Sequence, residues 1–389
     1  MKKVVLFLIC SINGIAQTVK TMKRLPDTGQ TASYTSTFGE DNDYNFFTPY
    51  FIKNNNGIIT DTITSLQWQQ TDGGEMKIEN AIVYCDTLTL GGFTDWRLPN
   101  AQEAFSILNM QNVNPAMNTT YFTNTGAEYW WTSERQANDT NKIWCTNAGG
   151  GIGNHPRTET SSAGGNKKFH VRAVRDAVPP PIIPNHYTDN NNGTITDNLT
   201  NLVWQKIPST TAQTWEQAIA MAENLSLAGF TDWHLPNIKE LQSLNDEGVI
   251  APSISSPYFQ NLGVKKYWSS TTLPNQTTKV WYWDTQYGIT TYDTKTNTNY
   301  VICVRNNSTA TSLQASTTLP IMSVYPNPFT NKIIIANSTK NQQLQLSNVY
   351  GEIVYQGTQI ELQDFSNLPS GIYILHNLNL KSFYKIVKQ

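Results

Sequence analysis

Five histidines, His155, His170, His186, His234 and His376, lie scattered along the chain without the spacing that brings two imidazoles to one metal. No HExxH helix, GxSxG elbow, P-loop or GxGxxG turn occurs, so residue spacing anchors no catalytic reading and no catalytic residue is assigned. Cys145 and Cys303 are the residues that could suggest a thiol enzyme. Asp189 through Asp197 looks like a calcium loop. Placing Gly193 sixth, however, puts Thr188 first and Leu199 twelfth, where Asp and Glu are required. An Asx-rich structural hairpin is the stronger reading, so no metal ligand and no cofactor is assigned, with calcium left open. The remaining chemistry is recognition. In Val280-Trp281-Tyr282-Trp283-Asp284, strand alternation sends Trp281 and Trp283 to one side and Tyr282 to the other, so some aromatic surface is expected to meet solvent or ligand. Sugars offer flat C–H faces as well as hydroxyls, and Tyr282, Trp283, Asp284, Gln286, Tyr287 and Tyr292 combine rings with amide and carboxylate. These six are the expected ligand-binding residues, with Trp283 or Tyr287 the principal contact.

The elements that must position them are written twice. Gly92-Phe93-Thr94-Asp95-Trp96-Arg97-Leu98-Pro99-Asn100 returns as Gly229-Phe230-Thr231-Asp232-Trp233-His234-Leu235-Pro236-Asn237, an offset of 137 residues with one residue changed. Asn54–Gly57 and Asn190–Gly193 should each close a hairpin, because Asn and Gly tolerate positive φ. Trp215, Ala218, Ile219, Ala222 and Leu225 fall on one helical face, and Ile78, Ala81, Ile82, Cys85 and Leu88 repeat the pattern. Asn100 and Asn237 read as N-caps with Glu103 and Glu240 completing capping boxes. Asp95 and Asp232 are expected to satisfy backbone donors near those helix starts, with the adjoining Trp in the core. Aromatic strands follow, and each copy closes with Val171–Arg175 or Val301–Arg305. A hairpin, two helices and then mostly strands make an α+β domain. Where the second copy has its aromatic strand and Tyr-bearing loop, the first offers Gly149–Gly153, so binding is expected chiefly in the second.

These paired phrases, from Asp61 through Trp68 and Asp197 through Trp204 to Asp232 through Leu241, resemble the Lcl C-terminal domain family of bacterial extracellular modules. The resemblance implies a C-type-lectin-like fold and, by analogy, glycan adhesion; the Leu-Pro-Asn segment is also similar to one in formylglycine-generating enzymes. The Glu-Pro-Asn or Gln-Pro-Asp tripeptide of calcium-binding lectins is missing. Family members often pair a cysteine on the first helix with one on the last strand; here Cys85 faces Ala173 in that scheme and Ala222 faces Cys303, so each copy keeps one half. Cys303 is therefore expected unpaired, with Cys85–Cys145 open.

Met1-Lys2-Lys3, the apolar Val4–Ile9 and Gly14-Ile15-Ala16 read as a signal peptide of residues 1–16, too short an apolar run to span a membrane. At the other end, Val324-Tyr325-Pro326-Asn327-Pro328-Phe329, Leu368-Pro369-Ser370-Gly371 and Lys385-Ile386-Val387-Lys388 resemble the type IX secretion sorting domain. That resemblance implies an immunoglobulin-like β-sandwich, engagement of the secretion machinery through 321–389, removal of that segment, and release or surface attachment on a Gram-negative cell. The partition is a first lectin-like domain at 24–176, a Pro-rich linker at 177–185, a second domain at 186–306, a Ser/Thr-rich linker at 307–320 and the sorting domain. With 14% charged residues and a net charge of −2, nothing attracts nucleic acid. The expected function is non-catalytic binding of an extracellular glycan or surface protein. The alternatives are a structural matrix component and an enzyme related to the formylglycine-generating group.

Overall fold

The computed structural model describes residues 18–158, 169–254, 257–259, 261–307, 323–336, 342–348, 352–378 and 382–389. The expected signal peptide and all but Asn307 of the Ser/Thr-rich linker lie outside them. The chain divides into two compact units, 1–308 and 309–389.

In the first unit each copy opens as its turn residues dictate. Phe51–Lys53 pairs antiparallel with Ile58–Asp61, and Tyr187–Asp189 with Thr194–Asp197. Gly57 and Gly193 take φ of +80° and +88°, a region that strains any residue with a Cβ. Asn54 Nδ2 donates to Thr60 Oγ1 and Asn190 Nδ2 to Thr196 Oγ1, so these amides lace the hairpins. Each hairpin adds Leu66–Gln69 or Leu202–Gln205 and is completed by the closing strand of its copy, Val174–Asp176 or Val304–Asn306. A slip of one residue would turn the fully buried Trp68 or Trp204 to the other face.

Each copy carries two helices, α1 (Ile78–Thr87) and α2 (Ala101–Ser106) in the first, α3 (Trp215–Glu223) and α4 (Ile238–Gln242) in the second. Asn100 and Asn237 cap α2 and α4 as the pattern requires: each side chain accepts from the N–H of Glu103 or Glu240, whose carboxylate accepts from the cap N–H. The second sheet of each copy contains Tyr129–Gln136, Asp139–Asn147 and Ile152–Pro156, or Lys266–Thr272, Lys279–Asp284 and Ile289–Thr294. The chain is β-rich, with α-helix confined among the described residues to these four short segments.

The repeat gives no hint of the path taken by residues 20–47. This strap precedes the Phe51–Lys53 strand, and most of it falls within the 24–176 span assigned to the first domain, yet it packs largely on the second copy. Met110 N–H donates to Thr28 O, Lys239 Nζ donates to Asp27 O and to Ser106 O, and the Gln30 amide exchanges two hydrogen bonds with the Thr272 backbone. Farther along, Asp41 accepts from the Thr28 and Thr271 hydroxyls, Glu40 accepts from Thr272, and Tyr44 donates to Glu223. The Tyr44 and Phe46 rings lie over His234 at 4.6 and 5.8 Å between centroids. The strap also explains an asymmetry between the helices. Ile82 on α1, expected in the core, is 45% exposed, whereas its counterpart Ile219 is buried beneath Gly39. The Pro-rich segment is likewise held, since Ile182–Ile183 pairs with Thr18–Val19.

The second unit has a four-stranded antiparallel sheet of Ile353–Gly357, Leu344–Asn348, Gly371–Asn377 and Ser382–Lys388, and a pair of Ser323–Tyr325 with Ile334–Ala336. Phe329, Ile335, Leu346, Leu375 and Ile386 share one core between them.

Candidate functional site

The repeated phrase is scaffold. Asp95 and Asp232 pair with the arginine of the closing strand, at 2.7 Å from Arg175 Nε and 2.7 Å from Arg305 Nε, a partner the sequence did not point to. The hydrogen bond from Arg175 holds the Asp95 carboxyl below its ordinary range. Phe93 and Phe230 stack on those guanidinium groups at 3.7 and 3.8 Å. Trp96 and Trp233 are buried, as read from the sequence, and their indole N–H groups donate to Leu90 O and Leu227 O. The position that differs between copies, Arg97 or His234, meets the helix-cap glutamate in both.

The six residues expected to bind ligand separate. Trp283 is fully buried and donates through Nε1 to Asn245 Oδ1, and Tyr282 is buried in the core beside Trp268. Neither can meet a ligand, which corrects the expectation for both. Alternation in Lys279–Asp284 does place Trp281 and Trp283 opposite Tyr282, but both faces of the sheet are covered. Trp281 enters a cluster made mostly of first-copy residues, Trp283 one of second-copy residues, and Tyr282 the core under α3. The remaining four lie on the hairpin joining Lys279–Asp284 to Ile289–Thr294: Asp284 accepts from Gln286 N–H, Gln286 Nε2 donates to the Tyr287 hydroxyl, and Tyr287 and Tyr292 are each 41% exposed. Tyr287 is near the turn, whereas Tyr292 pairs with Trp281 along the strand.

At Tyr292 the two copies meet. Tyr292 and Thr291 line a groove of about 380 Å³ together with Asn114, Glu128, Tyr129 and Asn147 of the first copy. The glycine run of the first copy makes this approach possible. A Cβ on Gly150, whose φ is +102°, would lie 3.3 Å from the Trp281 ring, and Ile152 N–H donates to Thr290 Oγ1 across the seam. Asn147 Oδ1 shapes the turn by accepting from the N–H groups of Gly149 and Gly151. Both tyrosines are braced: Tyr292 edge-on to Trp281 at 5.7 Å with the Lys279 ammonium 4.9 Å from its ring, Tyr129 stacked on Phe169 at 4.7 Å. Held rings beside amides and a carboxylate suit a ligand with apolar C–H faces and hydroxyls. Sequence reasoning found Tyr292 but missed its first-copy partners, which stand more than a hundred residues away. The Gly149–Gly151 run was the available signal, since consecutive glycines mark close approach.

Groups that could do covalent chemistry are placed otherwise. Cys85 and Cys303 are buried thiols, and burial pushes both up to about 12. Asp197 accepts from the N–H groups of Leu199 and Thr200, and Asp189 from Lys206, so both carboxylates of the calcium-like loop serve the hairpin. Among the described residues no His, Cys, Asp and Glu side chains gather in a metal-binding group.

Residues 57–175 and 193–305 each match the Lcl C-terminal domain, and residues 323–389 match the secretion system C-terminal sorting domain. No curated protein matches the chain. Among solved structures, PorZ, an essential bacterial surface component of the type-IX secretion system of Porphyromonas gingivalis, is 14% identical and matches 66% of this chain and 30% of its own, with a TM-score of 0.16. This chain thus spans under a third of PorZ's length, and the superposition is too loose to carry an argument.

Proposed function

The chain belongs to the Lcl C-terminal domain family, and on that premise we propose that its paired domains are C-type-lectin-like modules that bind extracellular glycan, without catalysis, at the groove between them. Its sorting domain makes it a secreted or cell-surface protein of a Gram-negative bacterium and a client of the type IX secretion machinery. Among the described residues no helix is long and apolar enough to cross a membrane. The observation that carries the glycan reading is the groove at Tyr292, where two braced tyrosines from different copies stand beside Asn114, Asn147 and Glu128. A sugar ring would lay a C–H face on a tyrosine and exchange hydroxyl hydrogen bonds with the amides and the carboxylate. The buried, high-pKa thiols support a binding role over a thiol enzyme. The test is a glycan-array screen of the mature secreted protein followed by titration of the strongest hit against Tyr292→Ala. Removal of a contacting aromatic should weaken binding by about 2 kcal/mol with the fold intact. An array without a hit would leave the matrix-component reading in its place, and unchanged affinity in folded Tyr292→Ala would remove the groove as the site.

A further inference from the structure

The hydrogen bonds of the two copies repeat at the 137-residue offset. Ser133 N–H donates to Pro99 O as Ser270 N–H does to Pro236 O, Ala101 N–H donates to Glu134 as Ile238 N–H does to Thr271, and Asn109 N–H donates to Ala116 O as Asp246 N–H does to Ser253 O. The contact between the copies is reciprocal to within one residue: Gln102 of α2 donates to Gln242 O, and its counterpart Lys239 of α4 donates to Ser106 O, next to the Phe105 that matches Gln242. A groove on one side of such a seam has a counterpart on the other. On one side the groove is filled by the strap, which runs between Asn109 and Met110 of the first copy and Thr271 and Thr272 of the second, over Lys239. The counterparts of those residues are Asp246, Glu247, Glu134, Arg135 and Gln102, of which Arg135 is exposed outside the cavity that follows. The other four line one open cavity of about 390 Å³.

We infer that this cavity is a second peptide-binding groove, shaped like the one the strap occupies, and that it takes an extended, cationic segment of a partner protein. The strap shows the kind of occupant: extended chain held by backbone and side-chain hydrogen bonds. Charge decides which segment. The strap presents Asp27, Glu40 and Asp41 to a groove that contains Lys239; the open cavity has Gln102 where that lysine would be and three carboxylates where its counterpart has Thr271, Asn109 and Met110. His186 and Lys20 also line the cavity: the His186 ring lies 3.3 Å from Asp197, and burial pushes the Lys20 ammonium down. Burial pushes the Glu134 and Glu247 carboxyls up, and the charge of Glu134 adds to the shift at Glu247, so an incoming cation would favour their ionised forms and bind by charge as they lose a proton. The strap of a second copy of this chain would bring acids instead, which argues against strap exchange. A separate observation extends the path. The surface the strap covers on the second copy is bare on the first, where Ile82 is exposed and Arg97 stands in place of the stacked His234. A partner segment following the strap's course would lay an apolar or aromatic residue there, about as far beyond its cation as Tyr44 is beyond Asp27.

The probes are two fluorescein-labelled peptides with the sequence of residues 25–46, one native and one carrying Asp27→Lys, Glu40→Lys and Asp41→Lys, titrated by anisotropy against the mature protein. The lysine peptide should bind saturably and at least tenfold more tightly than the native one. Combined Glu134→Thr, Asp246→Asn and Glu247→Met, each taking the counterpart residue, should abolish that preference, and Gln102→Lys alone should weaken it, with near-UV circular dichroism confirming that both variants fold. Equal binding of the two peptides, binding of neither, or undiminished preference in both folded variants would overturn the proposal. Displacement of the lysine peptide by calcium chloride alone would reassign the cavity to a metal ion.

Discussion

Asp72 is buried 2.9 Å from His170 Nδ1 and 3.6 Å from an Arg172 guanidinium nitrogen, and it accepts from the Thr125 hydroxyl and the Trp130 indole. Burial by itself would raise this carboxyl, but the His170 hydrogen bond and the Arg172 charge outweigh it and hold the group down to about 2. A carboxyl depressed in the folded state contributes stability above its unfolded value of about 4, and that contribution is lost as pH falls toward about 2. The second copy has Ser209 here, accepting from Val301 N–H, so the acid-sensitive group belongs to the first copy alone. Asp72→Asn should cost about 3 kcal/mol at neutral pH and flatten the fall in melting temperature between about pH 4 and 2. A variant that keeps the parental pH profile would show that the carboxylate is not the group responsible. The cysteines invite a second substitution. Cys85 packs in one cluster with Ala173, and Cys303 in one with Ala222, matching the half-pairs read from the sequence. Ala222→Cys should form a disulfide with Cys303 under oxidising conditions and stabilise the fold by about 3 kcal/mol. Non-reducing peptide mapping checks it; recovery of the peptides spanning positions 222 and 303 as separate free thiols after oxidation would show that helix and strand hold the positions too far apart.

At the scale of elements, the hairpin turns, the caps of α2 and α4 and the buried face of α3 were all legible, because each follows from a few neighbouring residues. What covers an element was not legible. Ile82 and Ile219 occupy the same place in the same helical pattern, yet only Ile219 lies beneath the strap. Trp281, Tyr282 and Trp283 alternate as a strand should, but periodicity assigns sides without saying that the far side of Trp281 is closed by the other copy. The replacement of Arg97 by His234 has the same origin: a flat imidazole stacks under Tyr44 and Phe46, whereas the arginine, with no strap above it, pairs with Glu103 and Asp176. Deleting residues 20–47 should therefore loosen the second copy more than the first. Hydrogen exchange should show α3 amides losing protection while α1 amides keep theirs. Equal loss in both helices would mean that the strap braces the seam rather than one copy. Lys239→Met should act on the seam itself, because the ammonium donates to a strap carbonyl and a first-copy carbonyl at once.

The whole molecule pairs a two-copy body with a sorting domain, and its processing and its binding can each be tested. The extracellular species should lack residues 1–16 and most of 321–389, a loss that intact-mass measurement resolves; a full-length extracellular chain would contradict removal of the sorting domain. The candidate site was half legible, since Tyr292 could be picked out of the second copy while Asn114, Glu128, Tyr129 and Asn147 reach it only through the fold. A ligand held by both copies must depend on both walls of the groove. The most direct measurement is titration of the strongest array glycan against the parent protein, Glu128→Gln and Tyr292→Ala, with melting temperatures recorded for each. Both variants should bind at least tenfold more weakly, about 1.4 kcal/mol, with melting temperatures unchanged; parental affinity in Glu128→Gln beside a loss in Tyr292→Ala would place the site in the second copy alone and contradict the shared groove.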